Sequence, residues 1–270
     1  MSECFYKVIT SGHIVEVYKF EREAKAPHPH LDKDDGYDAL DLENTKIVIE
    51  DRVEERRQQT TRDARNLTRR LALMNFNNGD KFITLTFDPK KVENEKDLYS
   101  LDYVDAEFKK FIKRFNYKFD TKLKYIAVRE THKSGRLHFH MICDWKYEFT
   151  SEDQVKHFER YLGTEVWKHG FVDIKSIDHV DNVGAYLIKY MTKNLAIDLF
   201  KGKKVYLCSK GLKRPMEYRG LEAQTIIDYY KLEQKKEVFT NSYESEYLGQ
   251  IIYKEYNLNR FDNSSISLLS

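Results

Sequence analysis

Cysteine is scarce in this 270-residue chain, and the three present, Cys4, Cys143 and Cys208, form an odd and scattered set. That pattern points to a reducing interior and argues against a disulfide framework or a zinc site. No apolar run is long enough to span a bilayer, so no membrane partner is expected. The opening Met-Ser-Glu-Cys-Phe-Tyr lacks the basic and apolar regions of a signal peptide, and a cytoplasmic location is the expectation. A Gly-x4-Gly-Lys-Ser/Thr loop is missing, which argues against an appended helicase. Internal repeats and low-complexity tracts are missing too. A surplus of one charge is also lacking: 46 Lys and Arg against 44 Asp and Glu leave a net charge of +2, which says little about nucleic acid. The length suits one sizeable core with additions.

Charge is unevenly placed. Residues 31–55 hold ten acidic and three basic side chains, and residues 56–70 hold six arginines with Asp63 as the single acid. Residues 184–220 hold nine Lys and Arg against Asp198 and Glu217. Basic runs are often just solvated faces, but this last cluster adjoins a tyrosine pair described below, where a DNA backbone would need it.

The stretch Val128-Arg-Glu-Thr-His-Lys-Ser-Gly-Arg-Leu-His-Phe-His-Met-Ile142 reads as a hairpin. With Lys133-Ser134-Gly135 as a three-residue loop and glycine in the left-handed position, Glu130 lies across from His138 and Thr131 from Leu137. Alternation then puts His140 on the face of His138, while Phe139 and Met141 point into a core. Two imidazoles and a carboxylate on one patch of sheet suit a divalent cation with open coordination positions. Any one of the nine histidines is more often a surface or core residue than a ligand. His28-Pro-His30 shows how weak the bare pattern is, since proline breaks a strand there. At 138–140 the apolar flanks and the carboxylate opposite favour a metal site: Glu130, His138 and His140.

A second constellation is Gly184-Ala-Tyr-Leu-Ile-Lys-Tyr-Met-Thr-Lys-Asn194. Leu187, Ile188 and Met191 supply an apolar stripe at helical spacing. Tyr186 and Tyr190 are four apart on one face, and Lys189 and Lys193 are four apart on the adjoining one. Nineteen tyrosines make chance pairs common, as Tyr99/Tyr103 and Tyr243/Tyr247 show. The interleaved lysines and the position after the histidine hairpin set this pair aside. Its chemistry is phenolate attack on a phosphodiester. A phenol titrating near its reference pKa of about 10 needs nearby cations to favour the charged form. The catalytic set read here is Tyr186, Tyr190, Lys189 and Lys193.

The coarse element order is two short strands near 5–9 and 13–19, an acidic and mobile segment at 24–45, and a helix at 51–75. A strand at 81–87, a helix near 102–117, strands at 123–130 and 136–143, helical segments in 151–168, a strand at 171–177 and a tyrosine helix at 180–194 follow. A helix is expected at 221–235. Phe82, Phe87, Phe111, Phe115 and Trp167 read mostly as core. The central βαββαβα order predicts an α+β fold: an antiparallel sheet of ferredoxin-like, split-βαβ type with helices on one face. The division expected is 1–78 as an N-terminal extension, 79–195 as the nicking and joining domain, and 196–270 as a basic C-terminal extension.

Three segments in this order carry a family resemblance: Phe82-Ile-Thr-Leu-Thr-Phe87, Gly135-Arg-Leu-His-Phe-His140 and Tyr186-Leu-Ile-Lys-Tyr190. The chain resembles rolling-circle replication initiators of the HUH endonuclease superfamily, two-tyrosine type, such as those of small single-stranded-DNA phages and related plasmids. The resemblance covers roughly residues 60–195. It implies site-specific nicking of origin DNA, a 5′-phosphotyrosine intermediate, later strand joining, and Mg²⁺ or Mn²⁺ as cofactor. It implies single-stranded or supercoiled origin DNA, a host helicase and a host polymerase as partners, and a bacterial host cytoplasm as the location. The alternatives weighed are a relaxase or single-tyrosine transposase of the same superfamily, and a non-catalytic nucleic-acid-binding module, since RNA-binding domains share the βαββαβ order.

Overall fold

Strict alternation of apolar and polar side chains builds the central sheet. The computed structural model describes residues 5–23, 42–131, 135–191 and 203–260, with the backbone course alone for 42–55. Proximity along the Cα trace groups the chain into two compact units, Val48–Lys213 and a second made of Met1–Ile47 with Arg214–Ser270.

The first of these units holds five antiparallel strands: β3 (Lys81–Phe87), β4 (Tyr125–Thr131), β5 (Leu137–Cys143), β6 (Gly170–Ser176) and β7 (Tyr206–Cys208), in the order β6-β3-β5-β4-β7. Strands β6-β3-β5-β4 have the split-βαβ order expected from the sequence. Helix α1 (Leu42–Asn75) precedes them. Helix α2 (Leu101–Lys118) links β3 to β4, and α3 (Glu152–Tyr161) with a π-turn over Leu162–Trp167 links β5 to β6.

One face of this sheet is dry. Leu85, Phe139 and Met141 pack there against Phe108, Phe111 and Phe115 of α2 and against Trp167. Phe139 stacks on Phe108 with ring centroids 4.6 Å apart; truncating such a ring costs about 3–5 kcal/mol. Arg129 is buried with a bidentate partner, Asp105, at 2.6 and 2.5 Å, a geometry that keeps a buried guanidinium satisfied.

Pairing fixes the opposite face. Thr84 stands beside His140 and Asp173, and Phe82 beside Ile142 and Lys175. Thr86 pairs with Phe171, and Glu130 with His138. Strand β6 is the sheet edge, so Phe171, Asp173 and Lys175 line the rim of that face.

In the second unit the order is β8-β1-β2-β10-β9, all antiparallel. Its strands are β1 (Phe5–Ser11), β2 (Ile14–Phe20), β8 (Met216–Arg219), β9 (Phe239–Ser245) and β10 (Gly249–Asn257). A helix over Gly220–Tyr229 covers one side, where Ala223 and Ile227 meet Val8, Val15, Val17 and Tyr256.

Several expectations shift. The first long helix begins at Leu42 and not at 51. The helix expected over 221–235 stops at Tyr229, because Lys231 turns left-handed at φ 50° and a short 3₁₀ turn follows. The tyrosine helix, expected over 180–194, is α4 (Val183–Ile188), with Tyr190 and Met191 in a closing turn. Residues 192–194 and the acidic stretch 24–41 lie outside the described residues. The expected boundaries at 78/79 and 195/196 do not coincide with the contact grouping, in which α1 from Val48 and strand β7 sit with the central sheet.

Candidate active site

The hairpin register is the one that spacing alone gives: Glu130 opposite His138, Thr131 opposite Leu137, and Gly135 at φ 84°. Side-chain contacts refine it. His140 is a diagonal neighbour of Glu130, and its Nε2 lies 2.7 Å from Glu130 Oε2. Thr84 Oγ1 is 3.2 Å from His140 Nδ1, and Thr86 Oγ1 is 3.2 Å from His138 Nδ1. Two threonines two residues apart on β3 thus hold two histidines two residues apart on β5. This arrangement fixes ring orientation as outer partners of ligating imidazoles do.

Burial pushes the His140 pKa down, and the charges of Lys175 and Lys189 push the same way, against the hydrogen bond and charge of Glu130. The neutral ring is favoured. Its tautomer follows from the partners: a carboxylate only accepts, so Nε2–H donates to Glu130 and Nδ1 accepts from the Thr84 hydroxyl.

Helix α4 brings the second cluster to this face. Asn182 caps it, its Oδ1 accepting from the Ala185 N–H at 2.8 Å. Gly184 lets the helix lie against α1: a Cβ there would stand 2.3 Å from the Arg69 carbonyl oxygen. Arg65 of α1 donates to the Met191 carbonyl at 2.7 Å and ties down the turn after the helix.

The aromatic contacts then converge on Phe82. Its ring lies 4.9 Å from that of Tyr186, 5.4 Å from that of Tyr190 and 5.8 Å from the His140 ring. Tyr190 stacks on His140 with centroids 3.8 Å apart and 24° between planes. The two tyrosine rings are 6.0 Å apart. Lys189 Nζ sits 3.9 Å from the Tyr186 ring centre and 4.9 Å from that of Tyr190, within cation–π range.

Electrostatics at the phenol differ from the expectation that lysines lower its pKa. Burial pushes the Tyr186 phenol above its usual value, the neighbouring Tyr190 hydroxyl adds to this, and Lys189 and Lys175 pull it down without prevailing. Lys175 itself is held above the ordinary lysine value, chiefly by Asp173 at 3.3 Å, and stays charged.

The structure thus brings together Tyr186, Tyr190, Lys189, His140 and Glu130, with His138 on the same face. Lys193 lies outside the described residues. Among the described residues no three His, Cys, Asp or Glu side chains form a ready-made ion site: His140 and Glu130 are bonded to each other, and His138 is turned toward Thr86. The donor chemistry nevertheless fits a divalent ion, with one carboxylate oxygen and two imidazoles whose Nδ1 atoms are both engaged from behind. Sequence reading gave no role to Thr84, Thr86 and Lys175, and it took Phe82 for core. Phe82 is buried, but under the tyrosines and not among the α2 rings. Alternation along β6 was the available signal for Lys175.

Comparison with known proteins adds a family to this geometry. Residues 80–195 match the family model described as replication-associated protein of the ORF2 type. No match appears among curated proteins. Among solved structures, the N-terminal nuclease domain of non-structural protein 1 of minute virus of mice aligns at 15% identity, over 66% of this chain and 84% of that one, with a TM-score of 0.25. A likeness at that score carries no argument. No helix among the described residues is long and apolar enough to cross a membrane.

Proposed function

We propose that this chain, which belongs through residues 80–195 to the ORF2-type replication-associated family of HUH rolling-circle initiators, nicks single-stranded origin DNA by tyrosine transesterification and later rejoins it. The observation that carries the reading is the stack of Tyr190 on His140 at 3.8 Å, with Lys189 over the adjacent Tyr186. Nucleophile, cation and imidazole–carboxylate pair share one patch of sheet.

Tyr186 or Tyr190 attacks phosphorus as phenolate, the bond to the 3′ oxygen breaks, and the 5′ end stays on the tyrosine. Return of the 3′ hydroxyl reverses the step and rejoins the strand. The second tyrosine serves the second cleavage of a regenerated origin. Lys189 and Lys175 stabilise the phenolate and the charge that develops on phosphate. Phe82 holds both rings at a common height, so either hydroxyl can reach the same phosphate. His138, His140 and Glu130 would hold Mg²⁺ or Mn²⁺, which when bound supplies Lewis-acid polarisation of the scissile phosphate. Thr84 suits His140 to the role of ligand. Its hydroxyl can accept as well as donate, so the ring proton can move to Nδ1 and free Nε2. Origin DNA is the partner, with a host helicase and polymerase extending the nicked end.

Incubation with labelled single-stranded DNA and Mn²⁺, followed by a denaturing gel, tests this. A covalent protein–DNA band is expected, lost on chelation and lost in the Tyr186→Phe/Tyr190→Phe double variant. A wild-type amount of trapped DNA in the double variant overturns the nucleophile assignment.

A further inference from the structure

A groove of about 430 Å³ runs along the outer side of edge strand β6 and is lined by Lys91, Lys156, Arg160, Gly163, Gly170 and Phe171. Phe171 is 66% exposed although every other phenylalanine of the central sheet is buried. A ring left in water at this site carries an apolar cost that a binding partner could remove.

Three observations say what partner. The first is position. Phe171 pairs with Thr86, and the Thr86 hydroxyl touches His138. At a strand spacing of about 4.8 Å, Phe171 stands two strands, roughly 10 Å, from the histidine strand on the same face.

The second is charge. Lys156 and Arg160 are exposed, one helical turn apart on α3, and Lys91 joins them from the turn after β3. The one acid in the lining, Glu159, is engaged, its Oε1 accepting from the Ile174 N–H at 2.9 Å. The groove is therefore net cationic.

The third is room. Gly163 and Gly170 form a wall without side chains. A Cβ on Gly170 would stand 2.2 Å from the Thr86 carbonyl oxygen, and one on Gly163 would stand 3.0 Å from the Gly170 carbonyl oxygen. The space beside Phe171 is kept open by close backbone approach.

We infer that this groove is a binding site for single-stranded DNA flanking the scissile phosphate, one base stacking on Phe171 while Lys91, Lys156 and Arg160 take backbone phosphates. The inference rests on the nicking reading for its place on the strand, but binding itself needs no cleavage. Stacking on an exposed ring tolerates any base, so the site grips without reading sequence.

The test uses the full chain carrying Tyr186→Phe/Tyr190→Phe, with a fluorescent oligothymidylate as probe and anisotropy as readout. Adding Phe171→Ala is expected to weaken binding about tenfold, the scale of one lost base–aromatic stack, and Phe171→Trp to restore it. Lys156→Ala/Arg160→Ala is expected to reduce the slope of log K against log salt by about 1.4, two phosphate contacts at about 0.7 each for single strands. Circular dichroism checks that the exposed substitutions leave the fold intact. Unchanged affinity in Phe171→Ala overturns the inference even if the wild type forms covalent adducts. Weakened binding in Phe171→Ala, with a wild type that never forms an adduct, leaves this site standing and removes the nicking reading.

Discussion

Lys175 and Lys189 approach the tyrosine pair from two elements, one from strand β6 and one from the turn after α4. Both lower the Tyr186 pKa, yet burial and the Tyr190 hydroxyl keep it above that of a free phenol. The sign of a substitution follows. Removing a cation disfavours the phenolate, so the pKa rises further and less nucleophile is present at neutral pH. Lys175→Met is expected to move the rising limb of the pH–rate profile for adduct formation to higher pH. The rate at neutral pH then falls about tenfold for each pH unit the limb moves. Lys175→Arg should hold the profile near wild type. A Lys175→Met profile that coincides with wild type removes this lysine from the site. At this scale the histidines, Glu130 and the tyrosines were legible, because a two-residue alternation and a four-residue spacing are local patterns. Lys175 was not. Its place beside Phe82 exists only once β6 pairs with β3, and the two strands are far apart along the chain.

The element that carries the tyrosines is short, and its position depends on one missing side chain. Helix α4 has six residues, too few to be stable alone, so capping by Asn182 and contact with α1 hold it. Gly184→Ala would press a methyl group against the Arg69 carbonyl, 2.3 Å away, where backbone must move. Overpacking of this kind costs about 1–3 kcal/mol. The expected outcome is a lower melting temperature and a larger loss of adduct formation, since the tyrosines ride on the displaced turn. An unchanged melting temperature would show that the contact is slack. Elements with strong periodicity, such as β3, β5 and α2, were readable from the sequence for the same reason they fold. Strands β8, β9 and β10 escaped notice. Phe239-Thr-Asn-Ser-Tyr-Glu-Ser245 is almost wholly exposed and shows no apolar alternation, and β7 is three residues long. Such strands are set by their neighbours and not by local preference.

On the scale of the molecule, the chain folds as two compact units whose boundaries do not follow chain order. The sheet with the histidines and tyrosines is contained in Val48–Lys213. A fragment of those residues is expected to unfold cooperatively and to form the covalent adduct with short single-stranded DNA, as judged by thermal melting and a denaturing gel. A fragment that folds but traps no DNA would assign part of the chemistry to the remaining unit. That remaining unit joins the two ends of the sequence: β1 meets β8, and β2 meets β10. Left without them, β1 and β2 are a lone hairpin, which is marginal in water. During synthesis the early strands therefore stay unpartnered until the final fifth of the polypeptide leaves the ribosome, and the roughly forty residues from Lys213 to β10 take a few seconds to translate. Every strand of the catalytic sheet has been translated before that interval begins, so the ribosome delivers a nicking unit first and closes the terminal sheet only on a chain translated almost to its end.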